Sequence, residues 1–166
     1  SKATSAKTTT NQSQTTKHEA ENLMDGFLPL ALPGAPLTPF TLVTSNEIRI
    51  TKEDLLKDKP VLLVLFKPYC EHCEKVGEEI GKKTEMFKDI NILFVCDMSF
   101  FGDLNNYIAS TGLENKENVR VCGAPGEFMK QLFENKGLPQ IMIYNREWIL
   151  QKSFYGKLDL NEALTL

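Results

Sequence analysis

Two cysteines separated by two residues, Cys70 and Cys73, are the side chains of this 166-residue chain with the clearest chemical potential. Thiols at this spacing can form a disulfide with each other, exchange disulfides with another protein or help to bind a metal. An apolar run at 61–67 (VLLVLFK) precedes them, and a charged segment with a helical pattern follows. Because N–H groups and the helix dipole stabilise a thiolate at a helix start, we expect a reactive pair at this junction.

The residues beside the cysteines are expected to tune this reactivity. A protonated His72 would stabilise a Cys70 thiolate and make a Cys70–Cys73 disulfide more oxidising, whereas Glu71 would oppose that effect. An equally consistent interpretation is that His72 faces solvent and has little electrostatic influence. The sequence therefore leaves the direction of electron flow open.

Two further cysteines, Cys96 and Cys122, lie outside this motif. Cys96 ends a predicted buried strand, where a free cysteine usually serves as a small core hydrophobe. Cys122 precedes Gly123-Ala124-Pro125, a stretch in which we expect a loop and an exposed thiol. A second disulfide between Cys96 and Cys122 would require Cα atoms within about 7 Å of each other, and the sequence leaves that question open.

The elements that must position the thiol pair follow from apolar patterning and turn residues. An N-terminal hairpin is predicted from 40–42 and 48–50, with a turn at 44–46 and a short helix at 51–57 capped by Thr51. Strands are predicted at 61–66, 90–95, 119–121, 140–144 and 147–154, and helices at 70–88, 99–110, 125–135 and from Asp159. Strands that alternate with helices indicate a parallel sheet covered on both faces, and the last two strands form an antiparallel hairpin. The predicted class is α/β with a mixed central sheet flanked by helices.

Composition limits the partners of the chain. A formal net charge of -3 and a pI near 5.5 provide no basic surface for nucleic acid, so no nucleic-acid partner is expected. No run approaches the 18 or so apolar residues that a membrane-spanning helix needs. With 42% hydrophobic residues, the chain can bury the core of one domain.

The first 17 residues (SKATSAKTTTNQSQTTK) are polar and contain no large apolar side chain. Such a composition cannot offset the entropy lost on ordering, so we expect a flexible tether at 1–22 and one folded domain at 23–166. A tether behind a first residue that is not Met fits an exported protein, periplasmic or held at the membrane by a lipid on a cysteine upstream of Ser1. An arbitrary boundary in a cytoplasmic protein fits the sequence equally well.

Three segments in order resemble a known family. PGAPLTPFTL at 33–42, LLVLFKPYCEHCEK at 62–75 and GLPQIMIYNREWIL at 137–150 resemble the opening, the thiol motif and the closing hairpin of thioredoxin-like proteins. The resemblance is strongest to their exported TlpA/ResA-like thiol-disulfide oxidoreductases, which are related to the AhpC/TSA-type redoxins. It extends over roughly 33–160, and three ordered segments are far more specific than a lone Cys-x-x-Cys.

The resemblance implies a thioredoxin-like fold and a role for each matching residue. Cys70 would be the attacking nucleophile and Cys73 the resolving thiol, with Tyr69 in place of the Trp that commonly precedes the first cysteine. Pro139 would be a cis-proline beside the pair, and Leu138 would present its backbone to an extended substrate. The implied activity is exchange with protein disulfides or dithiols and an upstream redox partner, without a bound cofactor and in an undetermined direction.

Two departures from the family pattern concern the proton of the resolving thiol. Val64 stands where thioredoxins keep a buried acid, and Val76 stands where some ResA-like proteins carry one. Glu74, Glu71 or a bound water could take that role, although a carboxylate near its ordinary pKa is a poor base for a thiol.

Other functions remain open alternatives. Metal handling is disfavoured because adjacent His72 and Cys73 cannot easily face one ion, and the other histidine, His18, lies in the tether, so no metal site is expected. A redoxin-type peroxidase pattern wants Thr where Lys67 stands, and Pro68 lies too close to the cysteine. A non-catalytic binding module could use the pair as a structural clip, but so small a loop constrains little of the unfolded chain.

Overall fold

The computed structural model describes residues 30–165, and a seven-stranded mixed sheet forms its centre. The spatial order is β2-β1-β5-β4-β3-β6-β7, with β3, β4 and β5 parallel and the remaining pairs antiparallel. The strands are β1 (Leu42–Thr44), β2 (Arg49–Ile50), β3 (Val61–Leu65), β4 (Asn91–Asp97), β5 (Val119–Ala124), β6 (Gln140–Tyr144) and β7 (Leu150–Tyr155). The predicted class is confirmed, with the β1–β2 hairpin at one edge and the β6–β7 hairpin at the other.

Helices cover both faces of the sheet. They are α1 (Glu71–Lys82), α2 (Leu104–Thr111), α3 (Gly126–Leu132) and α4 (Leu160–Ala163), with 3₁₀ helices at Lys52–Asp54, Thr84–Phe87 and Met98–Asp103. Alternate residues of β3 contribute to two separate cores, since successive side chains of a strand point to opposite faces. Leu62 and Val64 pack with α1 and α2, whereas Val61, Leu63 and Leu65 pack with α3 and the 31–40 segment.

The helix that carries the thiol pair is shorter than predicted. It was expected at 70–88, but α1 ends at Lys82 and a separate 3₁₀ helix follows. The length of β3 explains where α1 ends, because the helix must carry the chain back along the sheet to the start of β4. A 12-residue helix spans about 18 Å, close to the roughly 17 Å of the five-residue β3. Nineteen helical residues would extend past the start of β4 by about 10 Å.

Other boundaries differ by a few residues for local reasons. The predicted helix at 51–57 is reduced to one 3₁₀ turn, Lys52–Asp54, which the Thr51–Asp54 capping box closes. The predicted helix at 99–110 divides into a 3₁₀ turn and α2, and the short strand predicted at 119–121 extends to Ala124. Pairing with β4 along its whole length accounts for the longer β5.

The predicted tether at 1–22 lies outside the described residues. Within 30–165, no helix is both long and apolar enough to cross a membrane.

Candidate active site

The thiol pair lies where the chain passes from β3 into α1. Cys70 is the N-cap of the helix: its backbone is extended, and its Sγ accepts a hydrogen bond from the backbone N–H of Cys73 at 3.3 Å. The sulfur therefore takes the place of the oxygen that usually satisfies a first-turn N–H group. This contact and the positive end of the helix dipole both favour a negatively charged sulfur at Cys70.

The two cysteines differ sharply in their surroundings. Cys70 is half-buried, whereas the side chain of Cys73 is 0% exposed and packs in the core formed by β3, α1 and α2. Burial is the main reason that the pKa of the Cys73 thiol is raised well above its ordinary value, and its hydrogen bond with Cys70 adds to the shift. Cys73 therefore stays protonated under conditions in which an accessible thiol can ionise.

Val64 and Val76 lie in the same buried core as Cys73. The two positions at which the resemblance to thioredoxin-like proteins leads one to expect an acid are thus filled by apolar side chains. Glu74 instead lines a small surface cavity of about 130 Å³ next to the pair, together with Pro68, Tyr69, Asp103, Asn106, Tyr107 and Ser110.

Tyr107 contacts the thiol helix from α2. Its hydroxyl donates a 2.7 Å hydrogen bond to the backbone carbonyl of Cys73, and its ring stacks on Phe66 with a centroid distance of 4.3 Å. Burial, helped by the nearby cysteines and Glu74, raises the pKa of Tyr107, which keeps the hydroxyl protonated as a donor. Gly77 permits this approach, because a Cβ there would lie 2.6 Å from the Tyr107 oxygen. No sequence pattern marks Tyr107, which is one position of the helix predicted at 99–110.

Tyr69 directly precedes the nucleophile candidate and has an uncommon conformation. Its φ is 63°, in the left-handed region, and its side chain is 73% exposed. The Tyr69 hydroxyl donates a hydrogen bond to Oδ1 of Asp103 at 3.0 Å. No sequence pattern marks Asp103 either, because the two residues lie 34 positions apart in the chain.

Leu138 and Pro139 lie at the same end of the β3–β6 strand pair as the cysteines. Gln140, the first residue of β6, pairs with Leu65, the last residue of β3, so the loops that contain Pro139 and Cys70 are neighbours. The Leu138–Pro139 peptide bond is cis. Pro139 is buried and its carbonyl accepts a bond from Gly156, whereas within 30–165 the backbone of half-buried Leu138 bonds to no other backbone group.

The side chain of Gln140 fixes the loop before Pro139. It is 0% exposed, and its amide donates to the carbonyl of Leu132 at 2.7 Å while its oxygen accepts from the N–H of Glu134 at 2.8 Å. Gln140, at the end of this loop, is thus bonded to the start of the loop, and this is a strong positional constraint because each lost bond would leave a backbone group unsatisfied.

Glu71 and His72 both face solvent on the first turn of α1. The Glu71 carboxylate forms an exposed ion pair with Lys75 at 3.2 Å, one helical turn further along. The Lys75 ammonium therefore partly neutralises the Glu71 carboxylate.

Cys96 and Cys122 are both free and fully buried. The expectation of an exposed Cys122 is wrong, because β5 continues past it and the residue lies inside the sheet. The two side chains belong to different cores on opposite faces, which also answers the question of a Cys96–Cys122 disulfide: they do not pair. Burial raises the pKa of each thiol to about 12.

No group of three metal-ligating side chains occurs among residues 30–165. The structure brings a group of predicted residues together where β3 ends and β6 begins: Tyr69, Cys70, Cys73, Leu138 and Pro139. Glu71 and His72 lie on the outer side of the helix.

Comparison with known proteins identifies the fold. No protein-family model and no curated protein matches the chain. Among solved structures, a secreted disulfide oxidoreductase of Mycobacterium tuberculosis is similar, with a TM-score of 0.60 and 15% identity over 74% of this chain and 90% of that one. The thioredoxin domain of a thiol-disulfide oxidoreductase from Bacteroides vulgatus gives 0.62 and 19%, over 80% and 93%.

A peroxiredoxin-like protein from Aquifex aeolicus is also similar, with a TM-score of 0.61 and 12% identity over 80% of this chain and 83% of that one. At these identities the likeness is one of fold. The thioredoxin-like fold predicted from the three sequence segments is therefore confirmed.

Proposed function

We propose that this protein is a thiol-disulfide oxidoreductase that exchanges disulfides with protein partners through Cys70 and Cys73. The observation that supports this most directly is the asymmetry of the pair. The half-buried sulfur of Cys70 caps a helix and accepts a hydrogen bond from the backbone N–H of Cys73, whose own thiol is fully buried one turn later. An accessible, anion-stabilising site for one thiol and a protected site for the other suit a nucleophile and a resolving group.

In the reducing direction, the Cys70 thiolate attacks one sulfur of a partner disulfide, and the second partner sulfur leaves as a thiolate. Cys73 then attacks Cys70, the mixed disulfide breaks, and the partner departs with both sulfurs reduced and the proton of Cys73 transferred to the leaving side. Two electrons pass from the Cys70–Cys73 dithiol to the partner, and the oxidising direction is the same sequence reversed. The raised pKa of Cys73 restricts the first attack to Cys70.

The partner segment is proposed to lie along Leu138 and Pro139. This loop lies next to Cys70 across the β3–β6 pair, and the backbone of Leu138, which bonds to no other backbone group of residues 30–165, offers an amide and a carbonyl to an extended chain. Glu71 and His72 are proposed to tune the reduction potential from the solvent side. An exported location is part of the proposal, supported by the polar N-terminal composition and by the secreted Mycobacterium relative of the same fold.

The decisive experiment is a trapping assay with Cys73→Ala. Without a resolving thiol, this variant should accumulate mixed disulfides that reducing agent releases, whereas Cys70→Ala/Cys73→Ala should trap nothing. Cys122→Ala is the matched control, because it removes a buried thiol far from the pair and should leave trapping by Cys73→Ala unchanged. Wild type should also catalyse reduction of insulin disulfides or oxidation of a dithiol peptide.

The proposal fails if Cys73→Ala traps no partner and wild type exchanges disulfides in neither direction. Consumption of hydrogen peroxide by wild type, lost in Cys70→Ser, would instead indicate the redoxin-type peroxidase alternative.

A further inference from the structure

The side chain of Tyr69 is held on one particular side of Cys70. Asp103, its hydrogen-bond acceptor, ends the 3₁₀ helix Met98–Asp103 that follows β4. In the sheet, β4 lies on one side of β3 and β6 on the other. The bond to Asp103 therefore draws the Tyr69 ring toward the β4 side, away from the Leu138–Pro139 loop that leads into β6.

Among the residues that the structure describes, no contact other than the one with Tyr69 explains the carboxylate of Asp103. It occupies the N-cap position of α2, yet its side chain makes no capping hydrogen bond. Within residues 30–165 it also forms no ion pair. Its side-chain hydrogen bond is the one from Tyr69.

The ring of Tyr69 needs such a bond to keep one orientation. It is 73% exposed, so few packing contacts restrain it, and the residue has a backbone conformation that non-glycine residues rarely adopt. A phenol donating to a carboxylate is a charge-assisted hydrogen bond, which is stronger than one between neutral groups. Without it, the ring could rotate about its side-chain bonds into the space in front of Cys70 and Leu138.

We propose that Asp103 is a positioning residue: by holding the Tyr69 hydroxyl, it keeps the ring on the β4 side of Cys70 and leaves the Leu138–Pro139 side open to the partner's peptide segment. This inference rests on the function proposed above, and it adds the residue that controls access of a polypeptide to the nucleophile. A small disulfide needs only the sulfur of Cys70 and does not occupy the groove.

The test compares a disulfide-containing peptide with a small aromatic disulfide as substrates. Asp103→Ala and Tyr69→Phe each remove the bond, and each should raise KM for the peptide about five- to tenfold with kcat within about twofold. Asp103→Ala should leave the rate with the small disulfide unchanged. Asp103→Asn keeps an acceptor oxygen and should remain close to wild type.

The double variant Tyr69→Phe/Asp103→Ala should have the same KM as either single variant, because both substitutions remove one shared interaction. Asp89→Ala is the matched control. It deletes an exposed carboxylate just before β4, at the opposite end of the strands from Cys70, and should change the rate with neither the peptide nor the small disulfide. Thermal unfolding of each variant checks that the fold is retained.

A purely electrostatic role of Asp103 predicts a different pattern, in which Asp103→Asn matches Asp103→Ala and Tyr69→Phe is unchanged. That pattern, or additive effects in the double variant, overturns the proposal. Absence of exchange by wild type with the small disulfide would instead contradict the proposed function, so the two failures are distinguishable.

Discussion

The four thiols of this chain differ in the two properties that govern cysteine chemistry, ionisation and access. Cys70 is half-exposed at a helix start that stabilises negative charge, whereas Cys73, Cys96 and Cys122 are fully buried. Burial also raises the pKa of Cys96 and Cys122 to about 12, so neither ionises appreciably in the folded protein near neutral pH. The sulfur of Cys70 is therefore the thiol expected to react with external reagents and partners.

Selective alkylation tests this contrast. Treatment of the reduced, folded protein with iodoacetamide at pH 8 should add one label quickly, and peptide mapping by mass spectrometry should place it on Cys70. In urea all four cysteines should be labelled. Cys70→Ser should lose the fast label in the folded state, and a second label appearing at a comparable rate in folded wild type would contradict the burial described for the other three.

At the scale of elements, the position of β6 relative to α1 determines how the site is assembled. Gln140, the first residue of β6, pairs with Leu65, the last residue of β3, and the chain passes from β3 into α1. The side chain of Gln140 also binds Leu132 and Glu134, at the start of the loop that leads to Pro139. One buried amide thus connects α3, the loop of Leu138 and Pro139, and the central sheet.

Replacing Gln140 with Leu should test this connection. The substitution keeps the side-chain volume but leaves the Glu134 N–H and the Leu132 carbonyl without their partner, and each such loss costs about 1–3 kcal/mol. We expect urea unfolding to show a loss of about 2 kcal/mol or more, together with a lower kcat/KM for a peptide disulfide.

Gln151→Leu is the control for that experiment. Gln151 lies on β7, and its amide makes an exposed bond to the carbonyl of Ile149, so its removal should change stability by well under 1 kcal/mol. Equal stability losses in the Gln140 and Gln151 variants would contradict the role assigned to Gln140.

Elements and their order could be predicted because apolar periodicity is local information. The buried runs of β3 and β4 and the turn residues of the hairpins are visible in short windows of sequence. The end of α1 could not be predicted, because the apolar pattern continues through Phe87 and only the length of β3 determines where the chain must turn.

In the candidate site, too, some residues could be predicted from local sequence and others depend on tertiary contacts. Cys70 and Cys73 form a pattern that a sequence can reveal, since their chemistry depends on residue type and close spacing, whereas Pro139 could be singled out only through the resemblance of 137–150 to thioredoxin-like proteins. Asp103 and Tyr107 act through contacts to residues 34 positions away, Tyr69 and Cys73 respectively. Such contacts arise only when α2 packs beside α1, so no window of sequence contains them.

At the scale of the whole molecule, the buried thiols link stability to pH. Cys73, Cys96 and Cys122 have a pKa raised by burial, whereas a cysteine in the unfolded chain titrates near about 8.5. Below that value both states hold these protons, so the cysteines do not make stability depend on pH. Above it the unfolded chain loses protons that the folded protein retains, and stability falls as pH rises toward the folded-state pKa of about 12 for Cys96 and Cys122.

The expected result is a decline in the free energy of unfolding of the reduced protein between about pH 8.5 and 9.5, a range chosen because tyrosines of the unfolded chain titrate mainly above it. Each buried cysteine contributes a slope of at most about 1.4 kcal/mol per pH unit. Urea unfolding at several pH values should show a shallower decline for Cys96→Ala and for Cys122→Ala.

Val121→Ala, which truncates a buried side chain without removing a titrating group, should lower stability equally at every pH. Oxidation of Cys70 and Cys73 should also flatten the decline, since the Cys73 thiol no longer titrates. Identical slopes in wild type and both cysteine variants would show that these thiols do not titrate differently in the two states.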